Sequence, residues 1–270
     1  MKAYLAHLLE QAPTDRSRNL LVREYLQARI LQCLQDRGVF LRWAFLGGAA
    51  LRFLYAIPRY SEDLDFSALR PGDEGGLEPA LSSARHTLAA EGYRVEVSGK
   101  DERAVASGYV KFPGLLHELG LSPRAEHVLS IKLEVDTNPP AGAVSTTSIV
   151  RRHVTLNLCH YDQASLLAGK LHAVLTRPWP KGRDLYDLAW YLADRAWPAP
   201  NLSMLNAALA QTQWDGPVLT EGNWRTEARR QLTSLNWTAA RADVRPFLEH
   251  ERDMLLVTPD ALDQLLSGVG

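Results

Sequence analysis

The sequence predicts an α+β chain in two parts: a mixed sheet with helices over residues 1–160, then a helical part over residues 161–270. Three observations predict this. Runs of strand length interleave with helical periodicity in the first part. From Asp162 onward the apolar spacing is helical throughout, punctuated by Pro and Gly. A chain of 270 residues with 46% hydrophobic content can also bury a large core.

In order, Val22 to Gln35 has helical spacing, and Asp36-Arg37-Gly38 breaks it before the apolar run Val39 to Leu46, read as a strand. After Gly47-Gly48, Ala49 to Ile57 reads as a short helix stopped by Pro58. Arg59 to Leu69 then alternates around Leu64 and Phe66 as a second strand. A helix is expected over Leu77 to Glu91, and strands over Tyr93 to Val97, Ala104 to Phe112 and Val128 to Asp136. Pro139 to Gly142 and the polar run Ser145 to Ser148 read as loop, and Val154 to Leu158 as one more strand. Asp162 is placed to cap a helix that Pro178 and Pro180 end, and Arg183 to Arg195 carries another amphipathic pattern. Ser203 to Thr212, Asn223 to Leu235, Ala239 to Glu249 and Pro259 to Leu266 continue the helical part.

Composition excludes several classes. A net charge of −1 and a pI near 6.7 do not suit a protein that coats nucleic acid non-specifically, though a local basic groove fits within them. Cys33 and Cys159 lack paired spacing, and the eight histidines are scattered, so neither a disulfide framework nor a zinc site is indicated. Charge and proline near the N-terminus leave no signal-peptide core, and no run reaches transmembrane length, so a soluble, cytoplasmic protein without a membrane partner is expected.

The chemistry is concentrated in a D-x-D pair. Residues two apart in a strand share a face, so Asp63 and Asp65 present both carboxylates together while Leu64 and Phe66 face the core. Magnesium takes such oxygen ligands together with substrate phosphates. The plainer alternative is a solvent-facing acidic edge. Position shifts the balance, because strand, Gly47-Gly48, short helix and acidic strand would bring free helix N–H groups close to the cations. No Lys-Ser or Lys-Thr follows the glycines, so there is no P-loop. Glu134 in the Lys132-Leu-Glu-Val-Asp136 run is the expected third metal ligand, with Asp136 the fallback, and the plainer alternative is an ion pair with a neighbouring base.

These residues carry a resemblance. GGAALRFLYAIPRYSEDLDF (47–66) resembles the signature of the AbiEii/AbiGii toxin nucleotidyltransferases, and KGRDLYDLAWYL (181–192) resembles their downstream helix motif. The KLEVD strand, Lys170 and the VRPFLEH segment fit the same family. The resemblance implies a polymerase-beta-like nucleotidyltransferase fold, Mg2+ or Mn2+ as cofactor and a nucleoside triphosphate as substrate. It also implies a tRNA 3' end or other RNA as acceptor, and a cognate antitoxin as partner. Carried over by motif, Gly47, Gly48 and Ser61 would hold the phosphates, with Gly48 offering backbone where many relatives offer a serine hydroxyl. Asp63 and Asp65 would bind metal, joined by Glu134 as the third ligand expected above; Lys170 and Asp184 belong to the downstream block, and Lys170 and Arg183 would act as preorganised charge on the leaving pyrophosphate.

Other readings stand beside these. Lys170 can be a snorkelling side chain, Arg59 can contact phosphate or pair with Glu62, and Asp187 competes with Asp184. Arg225, Arg229, Arg230, Arg241 and Arg245 can line an RNA groove or form a solvated face. Tyr186 and Trp190 read as core, and His172 as packing or capping. The competing functions are a phosphohydrolase with an aspartate nucleophile and a non-catalytic RNA- or protein-binding module.

Overall fold

A computed structural model of the chain describes residues 2–10, 12, 14–70, 76–100, 105–179 and 181–268. Two compact units emerge. One comprises residues 1–55, 60–139 and 147–160, the other residues 56–59, 140–146 and 161–270.

The first unit begins with α1 (Lys2–Glu10) and the long α2 (Asp15–Asp36). Thr14 starts α2 through a reciprocal cap with Ser17, each side chain accepting the other's backbone N–H at 3.1 Å. A 3-10 turn at Val39–Leu41 leads into β1 (Trp43–Leu46), then α3 (Gly47–Tyr55) and β2 (Leu64–Ala68). Next come α4 (Leu77–Ala90), β3 (Glu96–Lys100), β4 (Val105–Pro113), the single turn α5 (Leu115–Glu118), β5 (Val128–Asp136), β6 (Ser145–Arg152) and β7 (Val154–Tyr161).

The strands form one mixed sheet in the order β3-β4-β5-β2-β1-β7-β6. Its central pairs are β1 with β2, antiparallel, and β2 with β5, parallel. Alternation along β5 buries Leu129, Ile131, Leu133 and Val135 and leaves Ser130, Lys132, Glu134 and Asp136 half-exposed on the other face. Phe66 of β2 lies 5.5 Å from Phe45 and 5.8 Å from Trp43, ring to ring. Each such buried side chain contributes about 1.5–3 kcal/mol relative to exposure.

The α+β class and the order of helices and strands agree with expectation, with differences of detail. Ser145–Ser148 is not loop but the start of β6, which forms one edge of the sheet. Its first residues are exposed, so no buried alternation marks them, while Thr suits an exposed pleat. The Val39–Leu46 run is half strand, because Val39–Leu41 turns first. Helices α1 and α5 had no forecast. Ala104, forecast to open β4, lies outside the described residues.

Glu24 on α2 is nearly inaccessible and knits this unit together. It accepts from Arg52 of α3 at 2.5 Å, and from Arg152 at 2.9 Å and His153 at 2.8 Å in the β6–β7 turn. Burial alone would raise its pKa, but the His153 hydrogen bond and the two guanidinium groups prevail and lower it from 4.5 to about 2. A folded pKa below the unfolded one stabilises the fold at neutral pH, here by on the order of 3 kcal/mol. That contribution is lost as pH falls from 4.5 towards 2. Urea unfolding of the wild type should therefore weaken more steeply over that window than unfolding of Glu24→Gln; parallel slopes would refute this account.

The second unit is helical: α6 (Gln163–Thr176), α7 (Gly182–Ala193), α8 (Leu202–Gln211), α9 (Trp224–Leu232), α10 (Trp237–Val244) and α11 (Pro259–Ser267). Short polar side chains start four of them. Asp162, Asn201, Asn236 and Thr258 each accept a backbone N–H three residues on. Leu167 and Leu171 of α6, Leu185 and Leu188 of α7, and Leu205, Trp224, Val244 and Leu262 supply its core. No helix among the described residues is long and apolar enough to cross a membrane.

Candidate active site

The site in the first unit is built by register. Leu46 at the end of β1 pairs with Asp65 of β2, and Asp65 pairs on its other side with Glu134 of β5. The β1 pairing delivers the chain directly from Leu46 into Gly47, the first residue of α3. Gly47 has φ +77°, and a side chain there would collide with the Asp65 carboxylate. The glycine thus lets the helix start approach an acidic side chain as closely as backbone can. Asp63 lies just before β2 and not in the strand expected over Arg59 to Leu69, so strand alternation does not fix it on the Asp65 face, while Asp136 pairs with Ser67 one repeat beyond Glu134.

Two bases serve this acidic face. Lys132 Nζ donates to Glu134 Oε1 at 2.6 Å, and that bond, with Asp63 contributing, raises the pKa of the ammonium. Arg23 of α2 donates to the Ser130 carbonyl at 2.6 Å and, more weakly, to that of Glu62. Four residues further along α2, Gln27 donates to the Ser61 carbonyl at 3.1 Å. The segment before Asp63 is therefore fixed from α2 through its backbone. Arg23 and Gln27 had no role in the sequence analysis, although their i, i+4 spacing was visible, while the Lys132 bond is the ion pair with a neighbouring base given there as the plainer alternative for Glu134.

The donor set Asp63, Asp65 and Glu134 is all carboxylate oxygen, the chemistry that suits a hard cation. Among the described residues, however, no three His, Cys, Asp or Glu side chains are already gathered to hold a metal ion. Glu134 is engaged by Lys132 instead.

Of the other expected site residues, Lys170 and Asp184 form a cluster within the helical unit. Lys170 of α6 donates to Asp184 at 3.0 Å and lies 2.7 Å from Asp187, both on α7. Arg177 also pairs with Asp184. Arg59 grips Asp187 with both arms at 2.5 Å, and neither of these two side chains is more than 2% exposed. Burial opposes the charge of Lys170 and of Arg59, but their carboxylate partners prevail and raise both pKa values. Asp187 is thus a partner of Arg59 that the sequence did not propose beside phosphate and Glu62. Arg183 stacks its guanidinium 4.4 Å from the Phe247 ring centre and approaches Asp243.

The five arginines considered for an RNA groove are engaged locally. Arg241 and Arg225 donate to backbone carbonyls, while Arg229, Arg230 and Arg245 pair with Asp263, Glu227 and Glu251. Tyr186 is core, Trp190 packs edge-on to Trp197, and His172 bonds the Thr212 hydroxyl.

In fold, the chain is of the nucleotidyltransferase class. It is similar to the nucleotidyltransferase toxin MenT4 from Mycobacterium tuberculosis H37Rv, with TM-score 0.53 and 17% identity over 98% of this chain and 99% of that one. It is also similar to JHP933 from Helicobacter pylori, with TM-score 0.54 and 17% identity over 93% of each chain. No curated protein matches it. The family model described as "Nucleotidyl transferase AbiEii toxin, Type IV TA system" matches residues 29–267, and the chain belongs to that family.

Proposed function

We propose that this nucleotidyltransferase moves a nucleoside monophosphate from a nucleoside triphosphate to the 3' end of tRNA, and that a cognate antitoxin restrains it in the cytoplasm. The observation that carries the reading is the alignment of Asp65 with Glu134 on neighbouring parallel strands, with the α3 start at Gly47 closing over Asp65. Asp63, Asp65 and Glu134 would hold Mg2+ or Mn2+, which when bound supplies Lewis-acid charge to phosphate oxygens. Gly47 and Gly48 offer backbone N–H groups at a helix start and Ser61 a hydroxyl, all suited to triphosphate. The acceptor hydroxyl forms its bond to the α-phosphorus as the bond to pyrophosphate breaks, and one of the three carboxylates takes the hydroxyl proton. In the helical unit the family motif assigns Lys170, Arg183 and Asp184 to the transfer. Asp184 and Asp187 keep Lys170 an ammonium and fix its direction. We likewise assign the nucleotidyltransferase domain to residues 1–160 and a helical domain to residues 161–270.

The test is to incubate the protein with each α-labelled ribonucleoside triphosphate, Mg2+ and total tRNA. Label in tRNA with release of pyrophosphate is expected. Label in protein or a small molecule instead would overturn the acceptor, and inorganic phosphate without labelled product would favour the hydrolase.

A further inference from the structure

The acidic face holds a cation of its own. Lys132 and Glu134 lie two apart on β5, so alternation aims both at the same side of the sheet, where Glu134 is the register neighbour of Asp65. Their ion pair is 2.6 Å long, and the two side chains are 29% and 35% exposed. Arg23 offers a contrast: its hydrogen bonds go to the backbone carbonyls of Glu62 and Ser130, so it belongs to the framework. Lys132 has a flexible stem, a half-exposed position and a carboxylate for a partner, and it can leave without breaking the sheet.

From this geometry we infer that Lys132 is the resident counter-cation of Glu134, and that a divalent ion must displace it before Glu134 can turn to the Asp65 side. The inference deepens the metal-site reading above and rests on it. Displacement exchanges one cation for another: Glu134 loses the ammonium and gains the metal, and Lys132 is released with its positive charge. The released ammonium then stands on the acidic face with no fixed partner, free to donate to a triphosphate oxygen. Lys132 is a positioning residue for the free protein. Its cost to the metal is the strength of a half-exposed ion pair, which sets the scale of the effect at about two- to fivefold in affinity.

The experiment is a Mn2+ titration without nucleotide, followed by electron paramagnetic resonance of the free ion, on the wild type and on Lys132→Met, Asp65→Ala, Glu134→Gln and the Lys132→Met/Glu134→Gln pair. Circular dichroism confirms that each variant is folded. Lys132→Met should bind Mn2+ about two- to fivefold tighter than the wild type, and the gain should vanish in the Glu134→Gln background. Loss of Mn2+ binding in Asp65→Ala together with unchanged or weaker binding in Lys132→Met overturns this inference and leaves the metal site standing. Undiminished binding in Asp65→Ala overturns the metal site, and this inference with it.

Discussion

Asp65→Ala should lower nucleotide transfer about a thousandfold or more while leaving the fold intact. The carboxylate sits between Glu134 on β5 and the start of α3, where the proposed chemistry needs concentrated negative charge to receive a divalent ion. It is half-exposed, so its removal opens no sealed cavity, and it lessens repulsion with Glu134. Unfolding free energy should move by no more than about 1 kcal/mol. The check pairs urea unfolding with labelled-nucleotide transfer on the same preparation. A folded variant retaining a tenth of wild-type transfer would remove Asp65 from the site.

The second large effect is on stability. Arg59→Met should cost about 3–5 kcal/mol, because it strands Asp187 in the core of the helical unit with Lys170 as its remaining ion-pair partner among the described residues. The compensating pair, Arg59→Met with Asp187→Leu, should recover much of the loss, since an apolar pair of similar volume avoids the desolvation of both ions. Lys170 then keeps Asp184 as its partner. Urea denaturation of the single and double variants measures both numbers. A single substitution costing under 1 kcal/mol would show that water reaches the pair.

This contrast marks where the sequence is legible. Alternation around Leu64 and Phe66 is a local pattern, and it correctly separates these two core residues from Asp65, although Ser67 further along β2 is buried as well. The Asp162 cap is equally local, a carboxylate accepting an N–H three residues on. The Arg59–Asp187 pair joins residues 128 apart, and nothing near Arg59 distinguishes Asp187 from Glu62 as its partner. Glu134 was expected beside Asp63 and Asp65 from the chemistry of a metal site, but its register opposite Asp65 was beyond reach, since strand spacing orders side chains along a strand but does not say which strands are neighbours. Lys132 is a different case. Its alternation with Glu134 allowed the ion pair as the plainer alternative, but opposite charges sharing a strand face are so common on surfaces that the spacing did not favour that pair over a metal ligand.

The parallel pairing of β2 with β5 also has a temporal meaning. These strands are joined through α4, β3, β4 and α5, so their alignment is a non-local contact that must await the intervening chain. A nascent chain that has emerged only as far as β4 possesses Asp63, Asp65 and both glycines, yet it lacks Glu134 altogether. Until β5 has emerged and docked, a chain still on the ribosome therefore carries Asp65 without its register neighbour Glu134.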